Sequence, residues 1–393
     1  MLSLTAALVT APLQSLVAAP AFPTDPPRAR ITVPVGSAGG TTLEDLRGRD
    51  LLRLDLDAGR AVLLALPEEL AELDARGVPY FIESADEQAR YAERLAASPL
   101  PDLSESTLAG SLEPPFGEGS MGGYWTWVEV VGILDQLHAA FPEITTPKFS
   151  IGKTLEGRDI WAIKVSDAPG ADEDEPEVRY DSMHHSREPQ GMQTALWFLI
   201  DCLENYGQEP LATYLVDERE LFFVPVVNPD GYVFNQLIAP GGGGLWRKNR
   251  RDNGNGTTGV DLNRNYPFQW GFDDFGSSPF GFDETFRGPS PASEPETQAM
   301  IAFIQGREFA TALSIHTFSD VWIQPFNYAD VQPVNQPEWD ELNAQCTEVN
   351  GYFAGNTLAT LGSLANGSTI DWEANLTGAF SWTPEIGSQA DGF

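Results

Sequence analysis

The sequence predicts an α/β protein: a mixed, doubly wound sheet with helices on both faces, preceded by a small α+β unit. Over residues 121–393, strand-like apolar runs alternate with stretches of helical spacing, the pattern of a sheet flanked by helices. Within residues 22–97, a Pro-rich stretch at 22–30 reads as a linker, and from Arg30 to about Leu95 shorter strand and helix signals alternate. Residues 98–120 between them are dominated by Ser, Pro and Gly, with sparse charge, and read as a linker open to proteolysis. A chain of 393 residues with 42% hydrophobic residues can bury cores in both units.

The elements follow in order. Leu2 to Ala21 is apolar and uncharged and ends in the small-x-small triplet Ala19-Pro20-Ala21. Residues 1–21 therefore read as a secretory signal peptide, although no Lys or Arg precedes the apolar stretch. Pro12 and Gln14 make it a poor membrane span, and no later segment is long and apolar enough to be one. Ile31–Val35 is strand-like, and Leu43–Leu46 fits a short helix. Leu51–Leu56 and Ala61–Leu66 alternate as strands. Pro67 opens a helix with acids in its first turn, Gly77 closes it, and Tyr80–Ile82 is strand-like again. In the larger unit, Trp125–Phe141 has helical spacing, with Val128, Val131, Leu134 and Leu137 on one face. Strand-like runs follow at 160–165, 177–183, 220–227 and 310–316, with helical stretches at 190–205 and 293–305.

Charge excludes some functions. With 57 acidic and 23 basic residues the formal net charge is −34, which repels phosphate backbones and anionic membrane surfaces. Neither nucleic acid nor membrane is an expected partner. Such acidity suits a protein kept soluble outside the cell. The two cysteines, Cys202 and Cys346, lack C-x-x-C spacing and read as buried small hydrophobes. The acidic loop Asp172–Glu175 reads as a solvated surface run.

The chemistry concentrates around histidine. There are four, His138, His184, His185 and His316, and none lies in the N-terminal unit. His138 sits on the predicted amphipathic helix as a flank residue. His184 and His185 end a strand-like run, and His185-Ser-Arg-Glu188 has H-x-x-E spacing. A His and a Glu three apart on a tight turn can bind one metal. A strand end leading into a helix is also where open α/β sheets place ligands. A catalytic zinc needs three protein ligands and one open position. The third candidate is His316, at the end of the apolar run Ala312–Ile315.

Together these segments resemble the zinc carboxypeptidase family (metallocarboxypeptidases of the carboxypeptidase A/B type). His185-Ser-Arg-Glu188 and His316 match its metal motifs. Trp246-Arg247-Lys248-Asn249 is similar to the segment whose Arg polarises the scissile carbonyl. Asp261-Leu-Asn263-Arg264-Asn265 is similar to the segment that holds the substrate's terminal carboxylate. Gly367–Trp372 resembles the specificity-pocket wall, with Ile370 at its floor. Phe380–Glu385 resembles the strand that ends in the general-base Glu. Ile151–Arg158 resembles the opening of the domain, so the likeness covers residues 121–393. Residues 22–97 resemble, more weakly, the inhibitory propeptide.

The resemblance implies a secreted zymogen that uses Zn2+ to cleave the last peptide bond of peptide or protein C-termini, restrained by its own propeptide. Zinc held by His185, Glu188 and His316 lowers the pKa of water towards ~7. Glu385 then takes its proton and passes it to the leaving amine. Arg264 with Asn263 grips the carboxylate, Arg247 supports the oxyanion, and Arg187 adds a docking charge. Ile370, with Ala365, Ile323 and Thr383, gives an uncharged pocket suited to apolar or aromatic residues. Asp371 turned inward would reverse that preference. Two features depart from the family. The mobile pocket Tyr falls at Ser363, and the chain stops soon after Glu385, where members continue into a closing helix. An inactive relative that only binds peptide C-termini, and a cell-wall peptide amidase on the same scaffold, are the competing readings.

Overall fold

The structure, a computed structural model, describes residues 26–36, 41–42, 44–56, 58–97, 119–388 and 392–393. The expected signal peptide and nearly all of the expected linker lie outside the described residues.

The N-terminal unit is a four-stranded antiparallel sheet with helices. Its strands are β1 (Ala29–Pro34), β2 (Asp50–Asp55), β3 (Arg60–Ala65) and β4 (Phe81–Ser84), in the order β2-β3-β1-β4. Helix α1 (Pro67–Ala75) follows β3, and α2 (Glu87–Ala97) follows β4. Pro67 at the start of α1 loses nothing, because the first turn of a helix has no acceptor for its N–H. Ile31 and Val33 point inward from β1 and pack with Leu54, Leu63 and Leu73. Sheet order makes β2 an edge strand, and this edge faces the larger unit.

The larger unit opens with α3 (Trp127–Ala140). Thr126 caps it, and Glu129 returns the hydrogen bond to the Thr126 N–H. Its buried stripe is Val130, Ile133, Leu134 and Leu137; Val128 is 69% exposed. The stripe expected from sequence is thus displaced, because Val128 lies about half a turn from the centre of the true one at 3.6 residues per turn. There follow β5 (Phe149–Lys153), β6 (Asp159–Val165), β7 (Glu177–Ser182), α4 (Pro189–Asn205), α5 (Pro210–Asp217), β8 (Glu220–Val224) and α6 (Pro229–Ile238). Next come α7 (Pro295–Gln305), β9 (Phe309–Ile315), β10 (Val321–Ile323), α8 (Gln336–Thr347) and β11 (Phe353–Gly355). The described elements end with α9 (Thr357–Thr360), α10 (Thr369–Thr377) and β12 (Phe380–Glu385).

These strands form one mixed eight-stranded sheet, β11-β10-β12-β9-β7-β8-β6-β5. Both faces are covered, and β8, next to β7 near the middle of the sheet, is buried along its whole length. In β8, Leu221 and Phe223 pack on the α3/α4/α5 side, while Phe222 and Val224 pack with Met300 and Ile304 of α7 on the other. Neighbours β12, β9, β7 and β8 run parallel, so their carboxyl ends open on one edge. Among the described residues no helix is long and apolar enough to cross a membrane. Cys202 is buried as expected, but Cys346 is exposed, and the two are unbonded.

Candidate active site

Three adjacent parallel strands deliver the chemistry. His185 and Glu188 follow β7, His316 follows β9, and Glu385 ends β12. His316 and Glu385 are further tied by a parallel bridge. Met183, at the exit of β7, adopts φ 59, a left-handed conformation costing an L-residue roughly 1–2 kcal/mol. It breaks the strand alternation, and His184 and His185 are both buried. Glu188 stands at the N-cap of α4 without spending its carboxylate on the cap, near the positive end of a 17-residue helix.

The donor atoms converge. His185 Nδ1 lies 2.9 Å from Glu188 Oε1, His316 Nδ1 lies 2.9 Å from Glu188 Oε2, and the two Nδ1 atoms are 3.0 Å apart. One ligand atom from each of the three residues falls within 4.8 Å of the others. Burial opposes the charge of Glu188, but His185 and His316 hold its carboxyl well below the usual carboxylate range. Asp261, which the sequence reading quoted in a motif without giving it a task, organises the surroundings. Its Oδ1 is 3.1 Å from His185 Nε2, and its Oδ2 accepts from Arg247 Nη2 at 2.8 Å. Burial works against the charge of Arg247, yet Asp261 and then Glu188 stabilise it.

The Trp246–Asn249 segment is pinned to the His185–Glu188 turn. The Ser186 N–H donates to Arg247 O at 3.0 Å, and Asn235 Nδ2 donates to both Ser186 O and Trp246 O at 2.8 Å. Gly231 allows this approach: a Cβ there would meet Ser186 Oγ at 2.6 Å and Lys248 O at 2.7 Å. Arg264 donates to Asn263 O at 2.8 Å, and Arg264, Asn263, Arg247 and Glu385 all line one cavity of about 340 Å³. Glu385 has its carboxyl pushed up to about 7, first by burial and further by Glu188, against the pull of His316, Arg247 and Arg264.

Ile370, Ile323, Ala365, Thr383 and Ser363 line the same cavity. Asp371 is not among the lining residues. Its carboxylate accepts from Asn327 N at 2.8 Å, Asn327 Nδ2 at 2.9 Å and Tyr328 N at 3.2 Å. Arg187 is engaged by the N-terminal unit: Nη1 and Nη2 donate to the two oxygens of Asp50 at 2.6 and 2.9 Å. Burial would raise the Asp50 carboxyl, but Arg187, with Arg28 adding, holds it below its ordinary value. Leu52 and Leu54 of β2 line the cavity too, and Arg47 pairs with Asp274. His138, on α3, lies 3.1 Å from Thr145 Oγ1 and does not line this cavity.

Fold and site together define an α/β protein whose sheet edge gathers a His–Glu–His donor set, a second carboxylate from Glu385 and two guanidinium groups. The chain belongs to the zinc carboxypeptidase family, whose sequence model matches residues 130–393. Carboxypeptidase A1 of Sus scrofa is 32% identical over 270 residues, 67% of this chain and 62% of that protein's length. Carboxypeptidase A2 of Rattus norvegicus is 28% identical over 321 residues, 80% of this chain and 72% of the relative. The crystal structure of carboxypeptidase A from Helicoverpa armigera superposes with a TM-score of 0.73 at 26% identity, covering 92% of this chain and 88% of the other.

Proposed function

We propose that the chain is a secreted, zinc-dependent metallocarboxypeptidase, made as a zymogen, that releases single apolar or aromatic residues from peptide C-termini. The observation that carries this reading is the convergence of His185, Glu188 and His316 beside Glu385, Arg247 and Arg264 on one cavity. The names of the relatives, carboxypeptidases A, agree with it.

The donor set fits zinc. Asp261 beside His185 Nε2 favours the proton there and leaves the Nδ1 lone pair facing Glu188 and His316. Two imidazole nitrogens and one carboxylate form the three-ligand set of a catalytic zinc. A zinc ion held there would supply Lewis-acid polarisation and a water acidic enough to ionise near neutral pH. Glu385, at the end of β12 beside the donor set, removes the water proton and returns it to the departing amine. Arg264 and Asn263 hold the terminal carboxylate, and Arg247 offers a fixed cation to the developing oxyanion. Ile370 keeps the pocket floor uncharged, so a Lys or Arg head there would lack a partner.

The Asp50–Arg187 pair and the lining contributed by β2 support restraint by residues 22–97. The apolar, uncharged stretch Leu2–Ala21 supports secretion. Elemental analysis of the purified chain should find one zinc, lost from His185→Ala and His316→Ala. Full zinc content in either variant would rule out this donor set.

A further inference from the structure

Behind the cavity runs a buried polar chain that none of the proposed catalytic steps uses. Asp181, His184, Tyr266 and Thr369 along it are each 0% exposed. Arg179 lies between Asp181 and Glu373, pairing with both. Asp181 Oδ1 accepts from Ser314 Oγ at 2.9 Å and lies 3.3 Å from His184 Nδ1. At the other side of the ring, His184 Nε2 lies 2.9 Å from Tyr266 Oη and 3.1 Å from Thr369 Oγ1. Thr369 meets Asn263 Oδ1 twice, through its N–H at 2.9 Å and its Oγ1 at 3.1 Å.

Counting protons orders the chain. A carboxylate paired with a guanidinium has none to give, so Asp181 requires His184 Nδ1 to be the N–H. His184 Nε2 is then an acceptor with one lone pair. Tyr266 is the nearer of its two hydroxyl neighbours, and a phenol donates better than it accepts, so Tyr266 supplies that proton. The single hydroxyl proton of Thr369 is thereby left for Asn263 Oδ1. With two donors on Oδ1, the amide orientation of Asn263 is set, and Nδ2 lies on the opposite side of a residue that lines the cavity.

We propose that Thr369 is a positioning residue that fixes the Asn263 amide with its N–H group towards substrate, under the control of Asp181, His184 and Tyr266, and so makes the site select a C-terminal carboxylate over a C-terminal amide. This deepens the proposed exopeptidase reading and rests on it for Asn263's contact with substrate. A carboxylate only accepts hydrogen bonds. Asn263 Nδ2 beside Arg264 suits it, whereas a flipped Asn263 would turn Oδ1 towards it. A primary amide has donors of its own and gains from the flip.

The test uses the zinc-loaded full chain cleaved between residues 98 and 120. Thr369→Val keeps shape and N–H but removes the hydroxyl proton. KM for a peptide ending in free Phe should rise ~3–10-fold, the range of one neutral hydrogen bond, with kcat within about twofold. Thr369→Ser should restore the wild-type KM. Tyr266→Phe should reproduce the Val phenotype, because His184 Nε2 then captures the Thr369 proton, and the double variant should be no worse than Thr369→Val alone. Calorimetric titration with 3-phenylpropionate, which has no peptide bond, should show the same weakening, and 3-phenylpropanamide should not weaken. An unchanged KM and affinity in Thr369→Val, failure of Ser to restore, or additive losses in the double variant would overturn the inference. If the wild type binds 3-phenylpropionate with the expected variant pattern yet cleaves no peptide, the exopeptidase reading fails and the positioning role stands.

Discussion

Glu385 and Ile370 divide the proposed work between chemistry and choice, and each can be tested alone. Glu385→Gln should retain zinc and lose ~10²–10⁴ in turnover, the usual loss on removing a general base. Near wild-type turnover in that variant would assign the base elsewhere. Ile370→Asp should shift release from Phe towards Lys and Arg, read from side-by-side rates on peptides differing only in the last residue. Asp371 does not compete for this role, since Asn327 and Tyr328 occupy both its oxygens. His185, Glu188 and His316 were legible in the sequence because few residue types bind metal and strand ends place them. Asp261, Asp50 and Thr369 were not, because an acid or a threonine takes its meaning from its neighbours in space. Asp50 meets Arg187 only because β2 is an edge strand facing the cavity.

Among the elements, β6, β7, β8 and β9 lie where the strand-like runs of the sequence suggest. The run at 220–227 overshoots β8, which ends at Val224, where the chain turns through Pro225 to begin the approach to α6. The short strands β10 and β11 carried no signal in three residues each. Helix α7 holds a pH-dependent feature. Glu296 in its first turn is fully buried, and its carboxyl is pushed up to about 7 by burial, with Asp230 and Glu294 adding to it. Between about 4.5 and about 7 the folded chain therefore holds a proton on Glu296 that the unfolded chain has released. This group's contribution to stability falls as pH rises through that window, by at most about 1.4 kcal/mol per unit. Melting temperatures of wild type and Glu296→Gln between pH 4.5 and 7.5 should diverge upward in favour of the variant. A constant difference across the window would remove Glu296 from the account.

At the scale of the whole molecule, the N-terminal unit and the sheet edge form one closed arrangement. Tyr91 of α2 packs with Leu245, Arg28 pairs with Glu284 at 2.8 Å, and Asp50 pairs with Arg187. Removing one member of a buried ion pair typically costs about 3–5 kcal/mol. Asp50→Ala should accordingly weaken the restraint and raise the peptidase activity of the uncleaved chain. Cleavage between residues 98 and 120 should raise it further. Activity unchanged by both would leave the N-terminal unit with a folding role alone. The most direct test of the central claim follows two peptides by mass spectrometry. Both share one sequence ending in Leu-Phe, one as the free acid and one as the amide, and each is incubated with the cleaved, zinc-loaded chain with and without a chelator. Phe and then Leu should be lost, one residue at a time, from the acid only and only without chelator. Internal cleavage, equal attack on the amide, or activity that survives complete zinc removal would contradict it.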